Sequence, residues 1–319
     1  MSLPYFDQEA VDAALAYKPL VESLRAAFAG DFVMPVRHHH VIERKGGADA
    51  MNLLMPAWTT GGDPNFLGTK IVNVFPDNGK VGLPAIQGVY VVMSGDTGQP
   101  IAIMDGARLT VWRTACASAL ASSYLSRADA SHLVMVGAGA LAPFMIRAHA
   151  AVRPISRVTI WNHNLDRARD LADNLSEDAF AVRWTSDLAE AVKEADIVAC
   201  ATLSQKPIVK GEWLQPGAHL DLVGAYKPTM RESDDEAVKR ARLFVDTKAG
   251  ALIEGGDIAM PLATGIISAD KIEADLFDLC KGAVEIERKP EDITLFKSTG
   301  AAIEDLAAAM LVWQRGRRG

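Results

Sequence analysis

The run Val134-Met135-Val136-Gly137-Ala138-Gly139-Ala140-Leu141-Ala142 has the residue types and spacing of an anion-binding turn. In this GxGxxA arrangement Gly137 permits the tight turn and Gly139 lets a pyrophosphate approach the backbone. Small Ala142 allows the next helix to lie against the strand, so the amides from Ala138 to Leu141 face the anion. A strand precedes the turn, a helix follows it, and a second strand ends at Trp161, within the length of one βαβ unit. Dinucleotide binding is the chemistry this predicts. The tip of the second strand reads Asn162-His163-Asn164, with Arg167 just beyond and no Asp or Glu to hold a ribose 2′-hydroxyl. Amide, imidazole and guanidinium donors suit a 2′-phosphate, so NADPH is expected ahead of NADH, which stays possible. Asn164 or Asp166 would also serve as the cap of the following helix, a role compatible with phosphate binding.

The triplet His38-His39-His40 invites a metal, but successive residues of a strand point to opposite faces, so at most His38 and His40 share a side. No metal is expected there. The cysteines, Cys116, Cys200 and Cys280, are far apart and in no CxxC or CxxH spacing, which argues against a disulfide framework or a zinc cluster and fits a reducing cytoplasm.

The elements that must position these residues fall into two textures. Over residues 7–28 apolar positions recur at helical spacing, predicting two short helices. Between residues 32 and 99, short stretches rich in Val, Ile and aromatics, at 50–56, 66–74 and 85–93, with a further one at 100–105, are punctuated by Thr60-Gly61-Gly62-Asp63, Pro76-Asp77-Asn78-Gly79 and Gly95-Asp96-Thr97-Gly98. Such punctuation predicts a mostly antiparallel sheet. Residues 109–125, rich in Ala and free of Gly and Pro, read as a helix connecting two domains. Beyond Ser126, strands at 133–136, 157–161, 181–184, 197–201, 219–223 and 243–246 alternate with helices at 142–151, 167–175 and 188–194, the pattern of a parallel sheet covered on both faces. A last helix at 301–314 is expected to pack back on the first domain.

Length and charge set the outer bounds. A chain of 319 residues accommodates two units of roughly 100 to 200 residues. With 49% hydrophobic and 23% charged residues it can bury a sizeable core, which excludes disorder and fibrous architectures. A net charge of −7, with a basic cluster only at Arg315, Arg317 and Arg318, makes nucleic acid an unlikely partner. The N-terminal residues carry acids where a secretion signal would carry a basic patch, and no uncharged apolar run reaches the ~20 residues of a membrane span, so a cytoplasmic protein off the membrane is expected.

Several segments resemble the ornithine cyclodeaminase/μ-crystallin family, closest to its Δ1-pyrroline-2-carboxylate reductase-like members, over nearly the whole chain. They are Leu54-Met55-Pro56-Ala57, Gly68-Thr69-Lys70-Ile71-Val72, Gly82-Leu83-Pro84-Ala85-Ile86-Gln87-Gly88, residues 109–121 with Arg113-Thr114-Ala115 inside, the Gly137 turn, and Ile293-Thr294-Leu295-Phe296-Lys297-Ser298-Thr299-Gly300. The resemblance implies an α/β chain: a Rossmann dinucleotide-binding domain, residues 119–300, inserted into an α+β substrate-binding and dimerisation domain, residues 1–118 plus 301–319. It implies a homodimer. It also implies that a substrate carboxylate lies among two arginines and a lysine, matched here by Arg37, Lys70 and Arg113, with the cofactor further held by Thr202, Val223, Gly224, Ala225 and Ser298. Two guanidinium forks can hold a carboxylate in fixed orientation, and a lysine beside the reacting carbon can also manage a proton.

One departure bears on the substrate. Ornithine cyclodeaminases carry an aspartate in a Gly-Gly-Asp loop that handles the substrate's amino group, whereas this chain reads Gly224-Ala225-Tyr226. Without that carboxylate, or a substitute from Glu232, Asp234 or Asp235, ornithine cyclisation loses its base and its counter-charge. The expected activity is NAD(P)H-dependent reduction of a small, cyclic 2-imino acid such as Δ1-pyrroline-2-carboxylate to the L-amino acid. Ornithine cyclodeaminase, alanine dehydrogenase and a non-catalytic μ-crystallin-like NADPH binder are the alternatives.

Overall fold

The computed structural model describes residues 3–62 and 64–316, so Asp63 of the first predicted turn and Arg317 and Arg318 of the basic tail lie outside the described residues. The chain forms two compact units, Met1–Arg113 with Ala301–Gly319, and Thr114–Gly300.

The first unit is built on strands β1 (Tyr5–Phe6), β2 (Phe32–Val33), β3 (His38–Ile42), β4 (Ala50–Thr59), β5 (Phe66–Val74), β6 (Ile86–Ser94) and β7 (Pro100–Asp105). Their order is β1-β7-β6-β5-β4-β2, with β3 also paired to β4. All pairings are antiparallel except β1 with β7. In β5 the buried residues are Phe66, Gly68, Lys70, Val72 and Val74, a strict alternation that puts a lysine on the face the strand buries. The helix Ala302–Gly316 packs on β4 and β5 and against the helix Tyr17–Ala29. Asp7 caps the helix Gln8–Ala14 by accepting from the Ala10 amide.

One detail of this unit differs from the sequence expectation. Residues Pro76–Val81 form a 3₁₀ helix where a plain turn was expected, because Pro76 presets its first dihedral and Gly82, at φ +75°, ends it. The histidine triplet forms β3, exposed throughout, and its His38 and His40 rings lie 6.3 Å apart.

The helix Gly106–Leu125 carries the chain into the second unit. There the strands are β8 (His132–Val136), β9 (Arg157–Trp161), β10 (Ala181–Trp184), β11 (Ile197–Cys200), β12 (His219–Leu222), β13 (Arg242–Val245), β14 (Ile272–Asp275) and β15 (Thr294–Lys297). They form one parallel sheet in the order β10-β9-β8-β11-β12-β15-β13-β14. Strands β8, β11, β12 and β15 are buried at every position, as expected of a sheet covered on both faces. The chain winds outward from β8 in one direction and from β11 in the other, so the topological switch point lies between them. Open sheets of this kind bind ligands outside the carboxyl ends of the strands at that point.

Candidate active site

In the first unit, Lys70 and Arg113 are buried and meet at one carboxylate. Lys70 Nζ lies 2.8 Å from Asp305 Oδ1 and 2.7 Å from Oδ2, and donates to Thr110 Oγ1 at 3.2 Å. Arg113 Nε donates to the same Asp305 Oδ1 at 3.0 Å, while its NH1 donates to Glu304 at 2.7 Å. Strand alternation delivers Lys70, the connecting helix delivers Arg113, and consecutive residues of the C-terminal helix deliver both acids. Neither cation faces solvent: Lys70 is 2% and Arg113 6% exposed.

Burial first, then the positive charge of Arg113 and, less, that of Arg37 pull the Lys70 ammonium down against the opposing pull of Asp305, to about 8. Arg37, in the segment between β2 and β3, thus acts electrostatically on Lys70, which brings all three expected cations into one field. Asp305 and Glu304 went unnoticed in the sequence. Their signal is two adjacent acids ahead of the uninterrupted apolar run from Leu306 to Trp313; both are fully buried.

In the second unit the strand registers align the expected cofactor residues. Val136 pairs with Trp161 and Cys200, Cys200 with Leu222, and Leu222 with Lys297. The residues that follow these, including Gly137, Asn162, Thr202, Val223 and Ser298, therefore occupy one carboxyl edge. Gly137 has φ +110°, and a Cβ there would lie 2.7 Å from the Ala201 carbonyl oxygen. The protein itself demands that glycine. Gly139 is different: it is exposed, with no atom within 4 Å of where its Cβ would sit, so the fold tolerates a side chain that an incoming phosphate would not. The helix Ala142–Val152 that follows has no side-chain cap at its N-terminus. An uncapped, 11-residue helix behind an open glycine fits a dinucleotide pyrophosphate.

The acceptor tip divides its labour. Asn162 is buried; its Oδ1 accepts from the Ala138 amide at 3.3 Å and its Nδ2 donates to the Asn164 carbonyl at 2.9 Å, so its amide shapes the glycine turn. Asn164 caps the helix Leu165–Asn174 by accepting from the Asp166 and Arg167 amides. His163 and Arg167 are exposed and are the donors that face solvent. The Ser298 hydroxyl donates to Asp246 at 3.1 Å, so its donor is committed within the protein.

The ornithine cyclodeaminase/mu-crystallin family model matches residues 7–319. The chain belongs to this family. It is 36% identical over 312 residues to a Δ1-pyrroline-2-carboxylate reductase of Colwellia psychrerythraea, covering 96% of this chain and 97% of that one. The structure of Thermococcus litoralis Δ1-pyrroline-2-carboxylate reductase in complex with NADH and L-proline superposes with a TM-score of 0.93 at 31% identity, covering 99% of this chain and 98% of that chain. An archaeal alanine dehydrogenase dimer with bound NAD has a TM-score of 0.91 at 28% identity, covering 100% of this chain and 97% of that chain.

The loop after β12 carries Gly224, Ala225 and Tyr226 where the resemblance implies an aspartate in ornithine cyclodeaminases. Ala225 is fully buried and Tyr226 half-buried, and each of the three acids that could replace the missing aspartate is held by protein groups. Both oxygens of fully buried Glu232 accept from protein groups, from Thr202 and from the Gly224 amide. Asp234 caps the helix Asp235–Arg240 and accepts from the Gly211 amide at 2.8 Å. Asp235 pairs with Arg231.

Proposed function

We propose that the chain is an NAD(P)H-dependent reductase of small 2-imino monocarboxylates, with a cyclic imine such as Δ1-pyrroline-2-carboxylate as the preferred substrate and the L-amino acid as product. The observation that carries this reading is the shared carboxylate of Asp305, which orders Lys70 and Arg113 side by side in a buried setting, with the charge of Arg37 reaching the same lysine.

A bound reduced nicotinamide supplies the hydride for the imine carbon. The chain's own residues do the rest. Arg113 and Arg37 fix the substrate carboxylate, since guanidinium forks hold it in one plane. Lys70 Nζ, with its affinity for a proton lowered to about 8, keeps that proton near neutrality and gives it up to the imine nitrogen more readily than a solvated lysine would. Asp305 holds Nζ in place for the transfer. The engagement of Glu232, Asp234 and Asp235 with protein groups supports reduction over ornithine cyclisation, because each is already committed to a contact within the protein.

NADPH is the preferred dinucleotide in this reading, supported by exposed His163 and Arg167 at a strand tip without a carboxylate; relatives bind NADH or NAD, which remains an acceptable second cofactor. The first unit is the dimerisation surface of a homodimer. Val36 and Val41, 79% and 62% exposed, and the exposed Ile42, Ile86 and Val89 are apolar side chains of this unit that a second copy would cover. A cytoplasmic location fits Cys116, Cys200 and Cys280, which stand in no disulfide.

The test is a screen of Δ1-pyrroline-2-carboxylate, Δ1-piperideine-2-carboxylate, pyruvate with ammonia, a 2-imino dicarboxylate and L-ornithine, each with NADPH and NADH. The cyclic monocarboxylates should be reduced fastest. A faster rate with pyruvate and ammonia would make the enzyme an alanine dehydrogenase, and no rate with any would leave a ligand-binding protein.

A further inference from the structure

The second unit contains a buried ionic group that the reaction as described does not use. Glu232 is fully buried and accepts three hydrogen bonds: Thr202 N at 2.7 Å and Thr202 Oγ1 at 2.8 Å on Oε1, and Gly224 N at 2.7 Å on Oε2. Thr202 follows β11 and Gly224 follows β12, so one side chain ties together the loops at the ends of two adjacent strands. The tie is tight, since a Cβ on Gly224 would lie 2.0 Å from the Thr202 carbonyl oxygen. On its other side the same loop meets the dinucleotide turn, because a Cβ on Gly137 would lie 3.3 Å from Thr202 Cγ2. Behind Glu232, Asp257 Oδ1 accepts from the Glu232 and Ser233 amides at 2.8 and 2.9 Å, and Asp257 Oδ2 lies 3.3 Å from Lys297 Nζ, both side chains fully buried.

We infer that Glu232 is a positioning residue for the dinucleotide: its carboxylate clasps the Thr202 and Gly224 loops together and so fixes the wall of the crevice beside the Gly137 turn. This rests on the reading of the second unit as the dinucleotide site. The chemistry of the clasp requires the anion. All three contacts come from donors, and a proton on either oxygen, or the amide of a glutamine, would set donor against donor.

The clasp is also poised near neutrality. Burial pushes the Glu232 carboxyl up to about 7, outweighing the opposing charge of Lys297, and Asp257 pushes it in the same direction as burial. The ionisable groups around it are Asp257, Lys297 and the buried Cys200 thiol, which itself is raised well above its usual range. The direction of the pH response follows from the weakened acidity of Glu232. Above neutrality the carboxylate is ionised and the clasp closed; as pH falls through about 7 it is protonated and a hydrogen bond to a loop is lost.

The experiment is a fluorescence titration of the full chain with NADH, which lacks the ionisable 2′-phosphate of NADPH, at pH values on both sides of neutrality. For wild type, Kd should rise as pH falls below neutral. Glu232→Gln should bind NADH about tenfold more weakly above neutrality and lose the pH response, while its L-proline affinity stays unchanged. Thr202→Val, which removes one donor and keeps the backbone amide, should weaken NADH binding by a smaller factor and keep the pH response; it carries the test if Glu232→Gln does not fold. Wild-type affinity in Glu232→Gln, or a wild-type Kd flat across neutrality, would overturn the clasp. A wild type that binds no dinucleotide at any pH would instead overturn the assignment of the unit on which the clasp depends.

Discussion

Lys70 Nζ and the Asp305 carboxylate are within 2.8 Å of each other although 235 positions separate them in the chain. Their pairing in a buried setting fixes the lysine's geometry and, by partly offsetting desolvation and the charge of Arg113, keeps it protonated near neutrality.

This relationship sets a pH dependence. Lys70 carries its proton below about 8, so kcat/KM for the imino acid should fall as pH rises through that value. Asp305→Asn removes an interaction that raises the lysine's affinity for protons, and the basic limb should therefore move to lower pH by about one unit or more. A profile unchanged in Asp305→Asn would mean that Lys70 is not the group that titrates.

Arg113→Lys keeps a positive charge but not the fork. It should lower kcat/KM for the imino acid by about 10²-fold, since truncating a desolvated ion pair costs about 2 to 5 kcal/mol, while NADPH affinity measured by fluorescence stays the same. Arg113→Ala should in addition lower the thermal midpoint, because Glu304 and Asp305 would be left buried with less compensation.

The two glycines of the turn should separate cleanly. Gly137→Ala places a side chain at φ +110° against the Ala201 carbonyl and should cost at least about 1 kcal/mol of stability, read by denaturant unfolding. Gly139→Ala meets nothing in the protein and should leave stability unchanged while weakening dinucleotide binding by about tenfold or more.

Cofactor choice should respond to the exposed donors only. His163→Ala with Arg167→Ala should reduce kcat/KM for NADPH by about tenfold and leave that for NADH within about twofold, as expected of charge-assisted contacts to a 2′-phosphate. Asn162→Asp is a less clean probe than the sequence suggests, because the Asn162 amide also holds the turn through Ala138 and Asn164.

Much of this was legible in the sequence where local pattern and tertiary need coincide. The alternation of β5 places Lys70 on the buried face along with Phe66, Val72 and Val74, and the glycine turn announces its own strand and helix. Legibility ended where the determining partner is remote. Nothing near Glu304 or Asp305 indicates that their counter-charges sit on another helix and a strand, and Asn162 reads as a ligand until its bonds to backbone groups are seen. Elements too short for periodicity were also missed: β3, exposed and without apolar alternation, β14, and the helices Asp235–Arg240, Lys248–Ile253, Gly256–Ala263 and Leu276–Cys280. They form because sheet edges and connections constrain them, a tertiary effect that windows of sequence do not carry.

The account rests on net reduction of an imine, and stoichiometry tests that most directly. Enzyme given limiting NADPH and excess Δ1-pyrroline-2-carboxylate should form one L-proline for each NADPH consumed and then stop, and with L-ornithine and catalytic NAD it should release no ammonia. Conversion of L-ornithine to L-proline and ammonia at a comparable rate, with no net change in the dinucleotide, would contradict it.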